Sequence, residues 1–452
     1  MAEKLALVVG MAKSGVASAL LLARNGYRVR INDQKGADAF SGELDCLKMP
    51  RIEWRLGEKA EALLDGVSLA VISPGVPIEH PVVKAAEEKG IELIGELELA
   101  YRYNRAELLA ITGTNGKTTT TMLVGEILRA AGRKTHVVGN IGDPFSEIAD
   151  TTEPEDVAVC EVSSFQMETA HSFHPHIAAI LNITEDHLNR HHTMETYIAQ
   201  KAKIFGNQNE SDFLVLNYDD SALRTMANAA KSRVVWFSRR EVPPFGAFVS
   251  GDTILFGTAN KSAAYGKVSD LAIPGAHNLE NALAAVAIAR CACVKERVIA
   301  EALQTFRGAE HRIEFVRELG GIRYINDSKG TNVDSTIKAI EAMDRPTVII
   351  LGGSDKNVSM VPLVNIIKRS FVKKAVLIGE TADQLQRAFD EANLPIYARC
   401  GYDFARAVET AKGMADAGWN VLLSPACASF DMFRDYEHRG EVFKDIVFGM
   451  RT

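Results

Sequence analysis

A short run of glycine, lysine and threonine follows an apolar stretch in the first third of the chain. Leu108-Leu-Ala110 leads into Ile111-Thr-Gly-Thr-Asn-Gly-Lys-Thr-Thr-Thr120. A glycine loop between a strand and a helix turns its backbone N–H groups toward phosphate oxygens, and Lys117 supplies positive charge for the terminal phosphates. The hydroxyl of Thr118 or Thr119 is placed to reach a magnesium ion. This segment predicts a site for nucleotide phosphates.

The loop is a shortened form of the usual phosphate-binding pattern. That pattern has a glycine five positions before Gly116, where this chain has Ile111. Gly113 and Gly116 still allow the backbone to turn, and Lys117 still follows them. The alternative interpretation is a plain helix N-cap after a strand, where glycine and threonine are also common.

Two later strand ends carry side chains that suit a metal ion. Glu161 closes the apolar run that begins at Asp156, and a carboxylate at a strand tip facing a phosphate loop is a suitable second magnesium anchor. His187 follows the apolar run Ile177 to Asn182. The alternative for Glu161 is an ordinary surface carboxylate.

Histidines are concentrated in the same region. Six of the 11 histidines lie between His171 and His192. Zinc is one interpretation, but the segment has neither a cysteine partner nor a His-Glu-x-x-His pattern. We therefore favour a single strand-end histidine that serves a magnesium or phosphate site, with the others in solvated loops.

An alanine-rich segment from Asn278 to Arg290 predicts a buried helix. Asn278 and Asn281 are three residues apart, so their amides share one helix face and could read an adenine edge. N-capping is the alternative for Asn278. Arg312, which precedes another strand, could clamp phosphates with two hydrogen bonds, and its alternative is a surface arginine.

Polar clusters also follow strands in the last third of the chain. Asn326 to Asn332 contains Asp327 and Lys329, Lys356 follows a second strand, and Ser424 to Ser429 follows a third. Ligands bind at the carboxyl ends of parallel strands, so these clusters predict a site for an anionic small molecule. Loop polarity is the alternative for each cluster taken alone.

The N-terminal loop Gly10-Met-Ala-Lys-Ser-Gly15 resembles a dinucleotide fingerprint but has Ala12 at the middle glycine position. Asp33, at the end of the next strand, could meet a ribose or a base edge. A nucleotide-sugar pyrophosphate fits this loop at least as well as a nicotinamide dinucleotide. A tight strand-to-helix turn without a ligand is the third interpretation.

An apolar strand, a glycine loop and a helical pattern recur in that order at three places, beginning at Leu5, Leu108 and Thr347. The pattern predicts an α/β protein of three domains, with boundaries near residues 96 and 308. Phe245 to Gly257 has the alternation of a small antiparallel patch.

Composition narrows the class of protein. The chain has 452 residues, 47% of them hydrophobic, with a net charge of -7 and a pI near 5.9. Such a charge argues against nucleic acid as the main partner. No apolar stretch is long enough to span a bilayer. The first residues enter a strand at once, which is not the pattern of a signal peptide. We expect a cytoplasmic protein.

These motifs, taken in order, resemble the Mur ligases, and the resemblance covers nearly the whole chain. It departs from the family at Ala12, where members often have glycine. The tail Leu423 to Gly440 is similar to the branch that adds D-glutamate. The motifs that carry the resemblance are Thr112 to Thr118, Glu161 to Gln166, Asn182 to His187, His277 and Asn278 with Asn281, His311 with Arg312, and Asn326 to Thr331.

The resemblance implies three domains: an N-terminal Rossmann-like domain for a uridine nucleotide (residues 1–96), a central P-loop ATPase with a mostly parallel sheet (97–308) and a C-terminal Rossmann-like domain for the amino acid (309–452). It implies ATP and two Mg²⁺ ions as cofactors. It also implies addition of D-glutamate to UDP-N-acetylmuramoyl-L-alanine through an acyl phosphate, by a monomer whose partners are small molecules.

The resemblance also implies roles for individual residues. The catalytic residues would be Lys117, His187 and Lys201, and the metal would be held by Thr118, Glu161, His187 and Lys201. Lys201, near Lys203, matches a lysine that family members carry as a carbamate. The ATP-binding residues would be Gly113, Thr114, Asn115, Gly116, Lys117, Thr118, Thr119, Asn140, Asn278, Asn281, Arg312 and Asp327. The substrate-binding residues would be Ser14, Asp33, Ser73, Pro74 and Gly75 for the nucleotide, and Lys329, Thr331, Lys356, Ser429 and Tyr436 for the third domain's ligand.

Two other functions remain open at this point. One is a related ATP-dependent amide ligase with a different amino acid, such as a folate polyglutamate ligase, against which the N-terminal domain and the tail both argue. The other is a nucleotide switch or scaffold that hydrolyses ATP without forming an amide, which has no need of the polar clusters in the third domain.

Overall fold

The structure is a computed structural model that describes residues 4–37, 40, 47, 49–186, 188–273, 275–308, 310–355, 359–394 and 396–451. Two residues predicted to belong to the site, His187 and Lys356, lie outside the described residues. The chain forms two compact units, Met1–Phe306 and Arg307–Thr452. The described residues form three sheets, two in the first unit and one in the second.

The first sheet has five parallel strands in the order β3-β2-β1-β4-β5. Because the strand order reverses between β1 and β4, the carboxyl ends of these two strands form a crevice suited to a ligand. The predicted Rossmann-like architecture is confirmed. The elements are β1 Leu5–Val9, α1 Lys13–Arg24, β2 Arg28–Asp33, β3 Ile52–Leu56, β4 Val67–Ile72, α2 Pro81–Glu88 and β5 Glu92–Gly95.

The second sheet has nine strands in the order β14-β13-β12-β11-β10-β9-β6-β8-β7. Strands β6 to β12 pair in parallel, whereas β12, β13 and β14 pair antiparallel, as predicted for the segment after Phe245. The strands are β6 Glu107–Thr112, β7 Thr135–Gly139, β8 Val157–Glu161, β9 Ile177–Ile180, β10 Phe213–Asn217, β11 Arg233–Ser238, β12 Gly246–Ser250, β13 Thr253–Gly257 and β14 Ser262–Lys267.

Helices cover both faces of this sheet and connect it to the first one. They are α3 Glu96–Tyr103, α4 Lys117–Ala130, α5 Phe145–Ile148, α6 Ser164–Met167, α7 Leu188–His191, α8 Met194–Ala202, α9 Ser221–Met226, α10 Ala276–Cys291 and α11 Glu296–Thr305. The alanine-rich α10 is buried on almost every side from Asn281 to Ala289, as predicted. Short side chains let it pack closely against the sheet and α4.

The third sheet, in the second unit, has six strands in the order β15-β16-β20-β17-β18-β19, and only β15 is antiparallel to its neighbour. Apolar side chains pack on both of its faces. The elements are β15 Glu314–Leu319, β16 Ile322–Asn326, α12 Val333–Glu341, β17 Thr347–Gly352, α13 Val361–Lys368, β18 Val372–Ile378, α14 Ala382–Glu391, β19 Tyr397–Gly401, α15 Phe404–Met414, β20 Asn420–Leu423 and α16 Tyr436–Gly449.

The first two sheets share a hydrophobic core. A single cluster of buried side chains runs from Ala6 and Val8 of β1, through Leu97 and Ala100 of α3, to Leu108 of β6. The first two sheets are therefore packed as one body. None of the described helices has the length and apolarity needed to cross a membrane.

Candidate functional site

The predicted phosphate loop joins β6 to the N-terminus of α4. Gly113 has φ 151° and Gly116 has φ 82°, values that favour glycine. A Cβ atom on Gly116 would lie 2.2 Å from Asn281 Oδ1. The neighbouring β9 segment holds the loop, because Asn115 N–H donates to Asn182 Oδ1 at 2.8 Å. The loop thus leads into the N-terminus of a fourteen-residue helix whose N-cap, Gly116, has no capping side chain, and helix N-termini are typical sites for anions.

Lys117 folds back over this loop. Its Nζ donates to the carbonyl oxygens of Gly113 and Thr114, at 2.8 Å in both cases. The ammonium group is therefore held at the mouth of the loop, where charge on a bound phosphate would be neutralised.

Glu161 ends β8 directly beside the start of α4, and its side chain is buried. Its Oε2 accepts a hydrogen bond from Thr118 Oγ1 at 2.8 Å, and its Oε1 accepts one from Asn140 Nδ2 at 2.8 Å. A hydroxyl and a carboxylate are the hard oxygen ligands that Mg²⁺ prefers. These two residues therefore fit a magnesium site next to the phosphate loop.

Lys201 approaches the loop from α8 and is only 2% exposed. Its Nζ donates to Gly113 O at 3.0 Å and lies 4.7 Å from the centre of the Tyr197 ring. Burial, with the nearby charge of Lys117, lowers the pKa of Lys201 to about 7. A neutral amine therefore becomes accessible near neutral pH.

The described histidines of the rich segment have protein partners. His174 Nε2 and His176 Nδ1 lie 2.6 and 3.1 Å from the two oxygens of Asp212, and His191 Nε2 lies 2.9 Å from Ser164 Oγ. Within the described part of the chain, no group of three or more His, Cys, Asp or Glu side chains could hold a metal ion.

Asn278 and Asn281 lie on one face of α10, as predicted. Asn281 Nδ2 donates to Asn278 Oδ1 at 3.3 Å, and Asn281 Oδ1 accepts from Thr120 Oγ1 at 3.4 Å. The helix begins at Ala276 with Gly275 as its N-cap, so the N-cap interpretation of Asn278 is wrong. Contact with adenine stays a prediction.

A cavity of about 450 Å³ lies at the crevice between β1 and β4. It is lined by five predicted substrate residues, Ser14, Asp33, Ser73, Pro74 and Gly75, together with Asn140. Asp33 Oδ2 accepts a hydrogen bond from Met11 N–H at 3.0 Å, which fixes the carboxylate beside the loop. Gly15 must be glycine, because a Cβ there would lie 1.8 Å from Gly10 O.

Sequence reasoning missed Gln166 as a lining residue of this cavity. Its side chain and Ser163 form a capping box at the start of α6. The Ser-x-x-Gln pattern at the start of a short helix could have indicated Gln166, because a capping box fixes the orientation of both side chains.

In the second unit, predicted residues meet at the carboxyl ends of β16 and β20. Asp327 Oδ2 accepts from Ser424 Oγ at 2.6 Å, and burial raises the pKa of Asp327 to about 7. Lys329 Nζ lies 5.7 Å from the centre of the Tyr436 ring. Ser429, in the segment that follows β20, is buried, whereas Arg312 is exposed.

Arg439, which the sequence did not single out, is fully buried beneath this second cluster. Its guanidinium donates to Ser328 O at 2.8 Å, to Cys427 O at 3.2 Å and to Ala428 O at 3.3 Å. It therefore ties together the loops after β16 and β20. No local pattern distinguishes it from an exposed helical arginine.

Comparison with known proteins agrees with this arrangement over the whole chain. Residues 4–95 match the Mur ligase MurD-like N-terminal domain, residues 111–289 the Mur ligase middle domain, and residues 311–427 the Mur ligase glutamate ligase domain. The chain belongs to the Mur ligase family, whose members use ATP and Mg²⁺.

Among individual relatives, UDP-N-acetylmuramoylalanine–D-glutamate ligase of Alkaliphilus metalliredigens is 44% identical over 451 residues, which is 99% of each chain. The protein of that name from Clostridioides difficile is 45% identical over 98% of each chain. The fold is similar to UDP-N-acetylmuramate–alanine ligase MurC of Thermotoga maritima, with TM-score 0.57 and 17% identity, covering 99% of this chain and 100% of that one. MurF of Acinetobacter baumannii also gives TM-score 0.57 at 17% identity, with coverage of 98% and 93%.

Proposed function

We propose that this protein joins D-glutamate to UDP-N-acetylmuramoyl-L-alanine, with cleavage of ATP to ADP and phosphate, in the synthesis of peptidoglycan precursors. The observation that carries the proposal is 44–45% identity over at least 98% of the chain to proteins named for this activity. The phosphate loop, with Thr118 and Glu161 beside it, supplies the machinery that such a reaction needs.

In the first step, a carboxylate oxygen of the uridine substrate attacks the γ-phosphorus of ATP. The bond from that phosphorus to the β–γ bridging oxygen breaks, ADP leaves, and an acyl phosphate forms. Two anions must approach each other, so Lys117 and the N-terminus of α4 neutralise charge at the phosphates. Thr118 and Glu161 would hold magnesium, which adds positive charge when bound.

In the second step, the amine of D-glutamate attacks the acyl carbon and inorganic phosphate leaves. The leaving phosphate carries away one oxygen of the original carboxylate. The attacking amine must be neutral, so a base accepts its proton. Water must be kept from the acyl phosphate meanwhile, which domain closure would achieve.

We also propose that Lys201 is carbamylated. A neutral lysine amine attacks the carbon of CO₂ and loses one proton to solvent, which gives a carbamate anion that could face magnesium where the protonated lysine would be a cation. The buried Nζ donates to the neutral oxygens Gly113 O and Thr112 Oγ1, at 3.0 and 3.4 Å. Loss of the positive charge on Lys201 would also remove its repulsion by the nearby charge of Lys117.

The remaining assignments stay predictions. They are the second magnesium ion and His187, the ATP contacts of Asn140, Asn278, Asn281, Arg312 and Asp327, the substrate contact of Lys329, and the D-glutamate contacts of Thr331, Lys356, Ser429 and Tyr436. We further propose that the enzyme acts as a cytoplasmic monomer on small molecules, as the family resemblance implies.

The proposal is tested with purified protein, ATP, magnesium and UDP-N-acetylmuramoyl-L-alanine, with and without D-glutamate. We expect phosphate release that requires both substrates, together with a new amide product of matching mass. Release that requires another amino acid would overturn the D-glutamate assignment, and substrate-independent hydrolysis would overturn the ligase assignment.

A further inference from the structure

Glu96 is a buried carboxylate that the proposed chemistry does not use. It is the first residue of α3, directly after Gly95 ends β5, where the chain leaves the first sheet. Only 1% of the residue is exposed. Because burying a carboxylate is unfavourable unless it is well partnered, its contacts indicate what it stabilises.

One contact of Glu96 organises the loop before α5. Glu96 Oε1 accepts a hydrogen bond from Ser146 N–H at 2.7 Å. The N-cap of α5 is Pro144, whose side chain makes no capping hydrogen bond, so Glu96 satisfies a first-turn N–H that the local sequence leaves open. Gly142 and Pro144, which precede this helix, line the 450 Å³ cavity.

The other oxygen of the carboxylate, Glu96 Oε2, is buried without a hydrogen-bond partner among the described residues, and Gln166, which lines the same cavity, lies nearby. Burial raises the pKa of Glu96, whereas the hydrogen bond from Ser146 acts in the opposite direction. Gln166 is also fixed by its capping box with Ser163. The connection from Glu96 to the cavity wall therefore runs through Ser146 and the loop before α5.

The backbone at Glu96 has little freedom to move away from these partners. A Cβ on the preceding Gly95 would lie 2.2 Å from Thr169 Oγ1, so the chain passes close to the segment that follows α6. Gly95 N–H also donates to Thr169 O at 3.4 Å. The position of the carboxylate is thus determined by packing at the junction of the first two sheets.

We infer that Glu96 is a positioning residue for the uridine substrate: it holds the Gly139-to-Pro144 loop in place as part of the wall that the central sheet contributes to the nucleotide cavity. The inference rests on the proposed function for the identity of the ligand. It assigns no contact between Glu96 and the substrate, because the carboxylate acts through Ser146.

The test is calorimetric binding of UDP-N-acetylmuramoyl-L-alanine, and separately of ATP, to Glu96→Ala and Glu96→Gln. We expect Glu96→Ala to raise the Kd of the uridine substrate about tenfold or more, because displaced supporting groups weaken a site by such factors. The Kd of ATP should stay unchanged. Glu96→Gln, whose amide oxygen can accept from Ser146 N–H, should restore binding close to that of the wild type.

Glu98 provides the matched control. It is equally buried at the same junction, but it accepts hydrogen bonds from the N–H groups of His171, Ser172 and Phe173, which do not line the cavity. Glu98→Ala should lower the melting temperature without changing the Kd of the uridine substrate. If Glu98→Ala raised this Kd as much as Glu96→Ala does, the inference would be contradicted. Any loosening of the junction between the first two sheets would then be enough to weaken binding of the uridine substrate.

The binding test needs a Glu96 variant that still folds. If Glu96→Ala does not fold, Glu96→Ser replaces it, since serine suits the first turn of a helix and its hydroxyl is too short to reach Ser146. An unchanged Kd of the uridine substrate in a folded variant without the Ser146 hydrogen bond overturns the inference about Glu96 and leaves the proposed function as it is. Failure of the wild type to bind the uridine substrate would instead contradict the proposed function.

Discussion

Thr118 Oγ1 and Glu161 Oε2 are joined by a hydrogen bond of 2.8 Å, although 43 residues separate them in the chain. The bond brings the start of the helix after the phosphate loop and the end of the adjacent strand β8 to one point. Both groups are oxygen ligands suited to magnesium, and both are buried. Under the proposed function, these two side chains would hold magnesium next to the phosphate loop.

Glu161→Gln tests this relationship. The amide keeps the size of the side chain and can still accept from Thr118, but it lacks the charge that attracts the cation. We expect the magnesium concentration for half-maximal activity to rise about tenfold or more. Glu126→Gln, an exposed change on the same helix α4, is the control. An unchanged magnesium dependence in Glu161→Gln would exclude this carboxylate as a ligand.

Gly116→Ala tests the fit of the phosphate loop against α10. The left-handed backbone costs about 1–2 kcal/mol with any Cβ, and the new methyl group would also displace Asn281, 2.2 Å from its Oδ1. We expect a lower melting temperature and a clearly weaker ATP affinity. Gly132→Ala is matched, with φ 80° and open space around it. It should lower the melting temperature alone, and an equal loss of ATP affinity there would contradict the assignment.

These loops show how far the sequence can be interpreted. The phosphate loop was predictable because strand, glycine, lysine and threonine stand in one short segment whose geometry is local. The role of Asn281 was half predictable: helix periodicity gave its face, but its contact with Gly116 comes from packing between two helices. The roles of Glu96 and Arg439 could not be predicted from the sequence. Glu96 is partnered by Ser146, 50 positions away, and Arg439 by Ser328, 111 positions away.

Carbamylation of Lys201 is tested by ¹³C NMR in ¹³C-labelled bicarbonate. The labelled wild type should show a carbamate resonance that is lost in Lys201→Ala and disappears on acidification, because a protonated carbamate breaks its C–N bond and releases CO₂. Lys203→Ala is the control, since Lys203 Nζ donates to the carbonyl oxygens of Met167 and Glu168 instead. The resonance should persist in this variant. Its loss there, or its survival in Lys201→Ala, would refute the assignment.

Asp327 should make stability depend on pH. Its pKa is raised from 3.8 to about 7 by burial, so the folded protein holds a proton that the unfolded chain releases above pH 4. The stabilising contribution is therefore complete below pH 4 and is lost as the pH rises to about 7. We expect Asp327→Asn to reduce the fall in melting temperature between pH 5 and pH 8.

Asp416→Asn, an exposed change in the same unit, is the comparison for that experiment. It should leave the pH dependence of the melting temperature as it is in the wild type. An unchanged fall in Asp327→Asn relative to the wild type would mean that the native carboxyl group is ionised throughout this range.

In the proposed mechanism, the substrate carboxylate is activated by phosphorylation before the amide forms. This activation is tested most directly with UDP-N-acetylmuramoyl-L-alanine labelled with ¹⁸O in its free carboxylate, followed by mass analysis of the phosphate released with ATP and D-glutamate. We predict one ¹⁸O atom in each phosphate for every amide formed. Phosphate without ¹⁸O would contradict the account, because its oxygen would then have come from water.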